Sequence, residues 1–186
     1  AVATGDQIGT ASIQIRAIKA DPHFNGGDYY GSEYPRIGLA LARMISHKTF
    51  VHLDTFEKRA RRDLLHEEEM LSWYQVRDTF QSYMLHQGKK FTERFDANTY
   101  IALTEAMNSH DIGFNRGGVV EALRAITIPV LVISIDTDRL FPPRLQVEIA
   151  DLVPQAKKLV TISSDFGHDG FLVESEAMSA AIHGII

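Results

Sequence analysis

Two short segments of the sequence carry acidic and imidazole side chains in positions suited to catalysis. The first segment begins with Asp136 and Asp138, and the second is Gly167–Gly170, which contains His168. Each segment directly follows a run of β-branched residues that predicts a buried strand. In open α/β sheets, ligands bind beyond the carboxyl ends of the strands, so both segments are candidates for one site.

One strand–helix–strand unit separates Asp138 from His168. An aspartate followed by a histidine, each after a strand, is the closing order of the serine–aspartate–histidine triad of α/β-hydrolases. In such a triad the aspartate fixes the imidazole tautomer, and the other ring nitrogen takes the proton of the nucleophile. A helix-capping aspartate and an ordinary glycine turn are alternative explanations of the same residues.

The nucleophile that would complete this triad is missing from the sequence. The Gly-x-Ser-x-Gly elbow of α/β-hydrolases does not occur in the 186 residues. The chain also has no cysteine, so a thiolate cannot replace the serine. Because the serine comes first in the triad order, we expect the chain to begin after the nucleophile of a longer protein.

Other residue combinations are weaker candidates for chemistry. The two acids after the first strand could be the paired carboxylates of a sugar hydrolase, but the histidine nearby favours the triad. The spacing of His47, His52 and His66 matches no known metal-binding motif. The basic segment 58–62 is followed at once by acidic residues, which indicates a solvated helix face and not a nucleic-acid site.

The composition excludes several classes of protein. Hydrophobic residues make up 45% of the chain and charged residues 23%, a balance typical of globular proteins. The formal net charge of -5 argues against a protein that mainly binds nucleic acid. The longest apolar stretch, 126–135, is too short to span a bilayer, and residues 1–6 lack the features of a targeting signal. We therefore predict a cytoplasmic protein without nucleic-acid or membrane partners.

The pattern of apolar residues changes about two-thirds of the way along the chain. After that point, the segments 129–135 and 158–163 are typical of buried strands, and a helix containing Leu145 and Ile149 lies between them. A further helix is expected over 170–183. Strand, helix, strand and helix in this order predict a parallel α/β sheet.

Before that point, the apolar residues recur at helical spacing. The first predicted helix ends before Asp21, the third ends at Gly88, and the fourth begins at the N-cap Asp96. The segment 21–35 is rich in Gly, Tyr and Asp and predicts a structured loop. Core packing explains these helices better than a cofactor site, so we expect a helical cap over the sheet. The stripes are Ile8, Ala11, Ile15 and Ile18; Ile37, Ala40, Leu41, Met44 and Ile45; Trp73, Val76, Phe80, Tyr83 and Met84; and Ala97, Tyr100, Ile101, Thr104 and Met107.

A series of sequence blocks resembles the homoserine O-acyltransferases of the α/β-hydrolase fold, above all the homoserine O-acetyltransferases of methionine biosynthesis. A single block would be a weak signal, but the same order through most of the chain makes the resemblance specific. The blocks are Arg16–Ile18 with Ala20–Pro22, Gly26–Tyr29, Gly38–Arg43, Tyr83–Gly88 with Lys90 and Phe91, Arg94–Tyr100, Thr137–Pro142 and Gly167–Leu172.

The resemblance implies roles for particular residues. Asp138, the aspartate followed by x-Leu-Phe, would be the triad acid and His168 the triad base, with Asp136 the lesser candidate for the acid. Arg43 and Asp169 would bind the amino-acid substrate, since a guanidinium can hold the carboxylate of homoserine and a carboxylate can hold its ammonium group. The alternative for Arg43 is an ion pair within the lid.

The resemblance also implies an organisation and an activity. Residues 1–22 and 126–186 would belong to the α/β-hydrolase core, and 23–125 would form a helical lid. The enzyme would move an acetyl group from acetyl-CoA, a co-substrate, to the hydroxyl of L-homoserine. It would need no cofactor or metal, and it would form homodimers through lid helices.

The sequence departs from the family at Phe50, where a tyrosine is expected, and in lacking the N-terminal half. Succinyl transfer, a serine acceptor and a non-catalytic fragment are the alternatives.

Overall fold

The computed structural model describes residues 2–59, 79–157 and 159–184, which fall into two compact units. Unit 1 comprises Ala1–Thr4, Thr49–His52 and Asn108–Ile186, and unit 2 comprises Gly5–Lys48 and Leu53–Met107. Residues 5–22 thus share a unit with most of the predicted lid, and residues 108–125 share one with most of the predicted core. The assignment of lid and core remains a prediction.

Outside the described residues lie Trp73, Val76, Lys158 and most of the basic segment 58–62.

The described residues of unit 2 form helices that pack around a hydrophobic core. The core combines aliphatic and aromatic side chains: Ile18, Phe24, Tyr29, Leu39, Ala42, Phe91, Ala97 and Ile101. A short 3₁₀ helix, Pro22–Gly27, lies within the segment that the sequence predicts as a structured loop. The α-helices are α1 (Gly5–Lys19), α2 (Arg36–Phe50), α3 (Leu53–Arg59), α4 (Thr79–Thr92) and α5 (Ala97–Ser109). The last two residues of α2 and of α5 belong to unit 1.

The predicted N-cap of α5 is confirmed, and it also fixes the preceding loop. The Asp96 carboxylate accepts the backbone N–H of Thr99 at 2.7 Å and the hydroxyl of Tyr29 at 2.5 Å. Burial of Tyr29 and its bond to this carboxylate raise the pKa of the Tyr29 hydroxyl. Burial opposes ionisation of Asp96, but the hydrogen bonds outweigh it, so the pKa of this carboxyl lies below its usual range.

Helix α2 buries a different face from the one predicted. Ile37 and Leu41, two residues of the predicted stripe, are 67% and 45% exposed, whereas Leu39 is fully buried. The reason is a close approach to α1, because a Cβ atom on Gly38 would lie 2.5 Å from the carbonyl oxygen of Ala17. The glycine selects the buried face by allowing backbone contact.

The prediction that a helix ends at Gly88 is wrong. Helix α4 continues through Gly88 to Thr92. A Cβ atom on Gly88 would meet the carbonyl oxygen of Ala40 in α2 at 3.0 Å. This glycine therefore serves close helix packing and does not terminate the helix.

Unit 1 contains a small parallel sheet, with helices before, between and after its two strands. The residues Ile133 and Ile135 of β1 pair with Val160 and Ile162 of β2, which confirms the predicted parallel arrangement. Both strands are shorter than the segments predicted, and the predicted helix over 170–183 is divided near Glu174. The elements are α6 (Val119–Arg124), β1 (Ile133–Ile135), α7 (Pro143–Leu152), β2 (Val160–Ile162), a 3₁₀ helix (Gly167–Asp169), α8 (Gly170–Val173) and α9 (Ser175–His183).

Candidate active site

The predicted acid and base are hydrogen-bonded to each other beyond the carboxyl ends of β1 and β2. Oδ2 of Asp138 lies 2.9 Å from Nδ1 of His168. The other carboxylate oxygen accepts the backbone N–H groups of Leu140 and Phe141, both at 2.8 Å. These N–H groups hold the carboxylate in one orientation, so the acid is fixed before any substrate binds.

The imidazole of His168 is enclosed by aromatic rings but still reaches solvent. Its side chain is 22% exposed. The ring centroids of Phe50, Phe141 and Phe171 lie 5.9, 5.3 and 5.3 Å from the imidazole centroid. Among the described residues, no hydrogen bond reaches Nε2, the nitrogen that a triad uses to take the nucleophile's proton.

Asp136, the lesser candidate for the acid, is engaged elsewhere. Its Oδ1 accepts the backbone N–H of Ser164 at 3.1 Å. Burial opposes ionisation of this carboxylate, but hydrogen bonds from Ser163, Ser164 and nearby backbone outweigh it, so the pKa of Asp136 lies below its usual range. This aspartate therefore ties the loop after β1 to the loop after β2.

The turn that carries His168 depends on the glycine that precedes it. Gly167 has a φ angle of +63°, in the left-handed region that glycine adopts easily. A Cβ atom at this position would lie 2.8 Å from the backbone nitrogen of His52 and 3.0 Å from the carbonyl oxygen of Phe50. The turn therefore requires glycine both for its conformation and for its close packing.

Sequence reasoning missed two hydroxyl-bearing residues beside the pair. The Thr137 hydroxyl donates to the carbonyl oxygen of Ser164 and accepts the N–H of Gly167. The Ser164 hydroxyl donates to Glu174 at 2.8 Å. The sequence feature that could have identified Thr137 is its position as the first residue of the block Thr137–Pro142, which resembles a known family.

The predicted substrate-binding residues lie in different units. Arg43 belongs to α2 in unit 2, where its guanidinium carbon lies 5.0 Å from the ring centroid of Phe91. Asp169 is half-buried and ends the 3₁₀ helix that carries His168 in unit 1. Substrate binding by these two residues remains a prediction.

The described ranges offer no metal site and no membrane span. Within them, no three or more histidine, aspartate or glutamate side chains come together as metal ligands could. His47, whose spacing from the other histidines fits no metal motif, bonds through Nε2 to the hydroxyl of Tyr83 at 2.9 Å. None of the helices placed by the structure has the length and apolar character needed to cross a bilayer.

Comparison with known proteins gives matches over nearly the whole chain. Residues 3–175 match the family model described as the alpha/beta hydrolase fold. A homoserine O-acetyltransferase of Mycobacterium bovis (strain BCG / Pasteur 1173P2) is 49% identical over 184 residues, which are 97% of this chain and 47% of that protein. The Mycobacterium leprae (strain TN) enzyme of the same name is 47% identical over 184 residues, again 97% of this chain and 47% of its own length. The chain thus spans about half the length of these relatives.

Solved structures give the same picture of the fold. A crystal structure of homoserine O-acetyltransferase from Bacillus anthracis aligns with a TM-score of 0.83 at 25% identity, covering 95% of this chain and 48% of that one. Esterase E22 aligns with a TM-score of 0.84 at 18% identity, covering 97% of this chain and 51% of its own. The second likeness bears on the fold alone. Together with the family model, these matches confirm the predicted fold class.

Proposed function

Because the chain belongs to the α/β-hydrolase fold family, we propose that it supplies the acid and the base of a triad in an O-acyltransferase. The reaction moves an acetyl group from acetyl-CoA to the hydroxyl of L-homoserine, a step of methionine biosynthesis. The observation that carries the proposal is the hydrogen-bonded pair Asp138–His168 beyond two neighbouring parallel strands. A fold alone does not specify a reaction, so the choice of substrates rests on the 49% identity to a relative named for this activity.

In the first half-reaction, His168 acts as the general base through Nε2. The nucleophile is a serine in the half of the relatives' length that this chain does not span. The serine oxygen attacks the thioester carbonyl of acetyl-CoA, and Nε2 of His168 accepts the proton of the serine hydroxyl. The carbon–sulfur bond then breaks, and CoA leaves as a thiol that takes this proton from His168. Asp138 stabilises the imidazolium that exists between the two proton transfers.

In the second half-reaction, homoserine takes the acetyl group from the serine. Nε2 of His168 accepts the proton of the homoserine hydroxyl, whose oxygen attacks the acetyl ester, and the serine leaves with a proton returned by His168. The phenylalanine rings around the imidazole support transfer over hydrolysis, because they limit the access of water. These steps use acetyl-CoA as a co-substrate and require no metal or prosthetic group.

Arg43 and Asp169 are proposed to hold the two charged groups of homoserine. A guanidinium binds a carboxylate through two N–H donors in its own plane. The guanidinium carbon of Arg43 lies 5.0 Å from the centroid of the Phe91 ring, a cation–π distance that is compatible with this role. Asp169 follows the proposed base directly, so its carboxylate is suited to the ammonium group of an acceptor held beside His168.

Steady-state assays of the intact protein test the proposed function. Acetyl-CoA and succinyl-CoA are each paired with homoserine and with serine, and kcat/KM is compared across the four combinations. The proposal expects the highest value for acetyl-CoA with homoserine. A higher value for another pair would assign that donor or acceptor instead, and transfer in none of the four would contradict an acyltransferase of this class.

We further propose a cytoplasmic homodimer that pairs through helices of the predicted lid. The support for both proposals is the family resemblance. Light scattering after size exclusion should give twice the mass of one chain, and a monomer would contradict the dimer. Cell fractionation should recover the protein with the cytoplasmic fraction, and recovery with membranes would contradict that location.

A further inference from the structure

We propose that Thr137 is a positioning residue whose hydroxyl fixes the turn of His168 with respect to Asp138. The inference rests on the proposed function, in which His168 is the base and Asp138 its partner. It goes beyond that function, which gives Thr137 no role. Three features support it: the position of the hydroxyl, the surroundings of Ser164, and the turn at Gly167.

The Thr137 hydroxyl connects the residues that adjoin the acid and the base. Its Oγ1 donates to the carbonyl oxygen of Ser164 at 2.5 Å and accepts the backbone N–H of Gly167 at 3.2 Å. Thr137 directly precedes Asp138, and Gly167 directly precedes His168. One hydroxyl therefore links the chain beside the carboxylate to the chain beside the imidazole.

Ser164 gives this link a fixed anchor. It is 5% exposed, and the N–H of its backbone is held by the Asp136 carboxylate at 3.1 Å. Its hydroxyl donates to Glu174 at 2.8 Å and accepts the N–H of Phe166 at 3.1 Å. Both backbone groups and the hydroxyl of Ser164 are thus engaged, so the carbonyl that receives the Thr137 hydroxyl cannot move without breaking other bonds.

The second hydrogen bond of the Thr137 hydroxyl is with Gly167, in a turn whose backbone conformation is restricted. A Cβ atom on Gly167 would clash with backbone atoms of Phe50 and His52, and the φ angle of Gly167 lies in the left-handed region. Removal of the Thr137 hydroxyl leaves the Gly167 N–H without this acceptor, and a compensating rotation of the peptide would move His168. A misplacement of about 1 Å at a catalytic group can lower the rate roughly a hundredfold.

Three variants of the intact protein test the role of the hydroxyl. Thr137→Val removes it with little change of shape, and Thr137→Ser keeps it. Thr161→Val makes the same exchange at an exposed position of β2. We expect Thr137→Val to lower kcat for acetyl transfer by roughly tenfold to a hundredfold with little change in KM, because the acid–base geometry is disturbed and substrate contacts are retained. Thr137→Ser should recover most of the rate, and Thr161→Val should match the wild type.

A spectroscopic measurement reports on the pair without an assay. The proton between Asp138 and Nδ1 of His168 should give a far-downfield proton resonance, assigned by its loss in His168→Gln. Thr137→Val should shift or broaden this resonance, whereas Thr137→Ser and Thr161→Val should leave it in place. An unchanged resonance in Thr137→Val would overturn the inference, as would an unchanged kcat or an equal loss of rate in Thr137→Ser. If the wild type transfers no acetyl group, the proposed function fails, and the resonance still decides the role of Thr137.

Discussion

Nδ1 of His168 lies 2.9 Å from Oδ2 of Asp138, and the opposite oxygen of that carboxylate is held by two backbone N–H groups. Asp138 is 8% exposed, so little water competes for the carboxylate. An ionised carboxylate only accepts hydrogen bonds, which keeps the imidazole proton on Nδ1. Nε2 is left as the acceptor that a general base needs.

Asp138→Asn should therefore reverse the tautomer of His168 and remove the base. The backbone N–H groups of Leu140 and Phe141 will hold the amide oxygen, so the amide nitrogen faces Nδ1 and donates to it. We expect kcat for acetyl transfer to fall roughly 10⁴-fold. Asp151→Asn, at an exposed position of α7, is the matched control and should retain the wild-type kcat. Full activity in Asp138→Asn would show that the pair is not catalytic.

Phe141→Ala should favour hydrolysis over transfer. The Phe141 ring lies 5.3 Å from the imidazole, and its removal opens that side of His168 to water. We expect the ratio of acetyl-CoA hydrolysis to homoserine acetylation to rise several-fold, measured as free CoA against acetylhomoserine. Phe114→Ala removes a ring that is 72% exposed in the same unit and should leave the ratio unchanged. A constant ratio in Phe141→Ala would mean that this ring does not keep water out.

Gly167→Ala should lower stability more than Gly26→Ala does, and it should also lower activity. Both glycines have a φ angle of +63°, so both substitutions introduce the same backbone strain, about 1–2 kcal/mol. Only at Gly167 does the added Cβ meet backbone, 2.8 Å from the nitrogen of His52, so the turn of His168 must shift. Thermal unfolding and kcat of the two variants check this expectation. Equal effects of the two substitutions would mean that the packing around Gly167 is not restrictive.

Asp96→Ala should destabilise the protein at neutral pH, and this effect should fade in acid. The carboxylate caps α5 and accepts the Tyr29 hydroxyl, so its loss should lower the free energy of unfolding by about 1–2 kcal/mol. Because its pKa in the folded state lies below the ordinary 3.8, the contribution is complete above that value and is lost as the pH falls below it. Urea unfolding from neutral to acid pH measures the difference from the wild type.

The control for this pH series is Asp6→Ala, which removes an exposed carboxylate from the first turn of α1. This variant should stay within about 0.5 kcal/mol of the wild type at neutral pH. A difference between Asp96→Ala and wild type that stayed constant down to the lowest pH would show that the charge of Asp96 contributes nothing.

Features that depend on local chemistry could be predicted from the sequence. The cap at Asp96 follows from the hydrogen bonds that an aspartate makes to the first turn of a helix. The meeting of Asp138 and His168 follows from the direction of parallel strands, whose carboxyl ends lie at one edge of the sheet. In both cases the residue type and its position next to a predicted helix or strand were sufficient to predict the contact.

Features that depend on distant neighbours could not be predicted. Ile37 and Leu39 are both strongly apolar, and the close approach of Gly38 to Ala17 accompanies the burial of Leu39 and the exposure of Ile37. Gly88 has the residue type of a helix end, but its packing against α2 is a tertiary contact. The role of Thr137 depends on Ser164 and Gly167, two residues of another loop.

The pairing of the two short strands has a consequence for how this protein can be inactivated. Ile135 stands opposite Ile162, so the two loops that carry the acid and the base leave the sheet together. A slip of one residue in this pairing would displace one loop along the other by about 3.3 Å, more than the length of the bond between carboxylate and imidazole. Substitutions that loosen the register of β1 and β2 should therefore yield folded but inactive protein, although they change no residue of the catalytic pair.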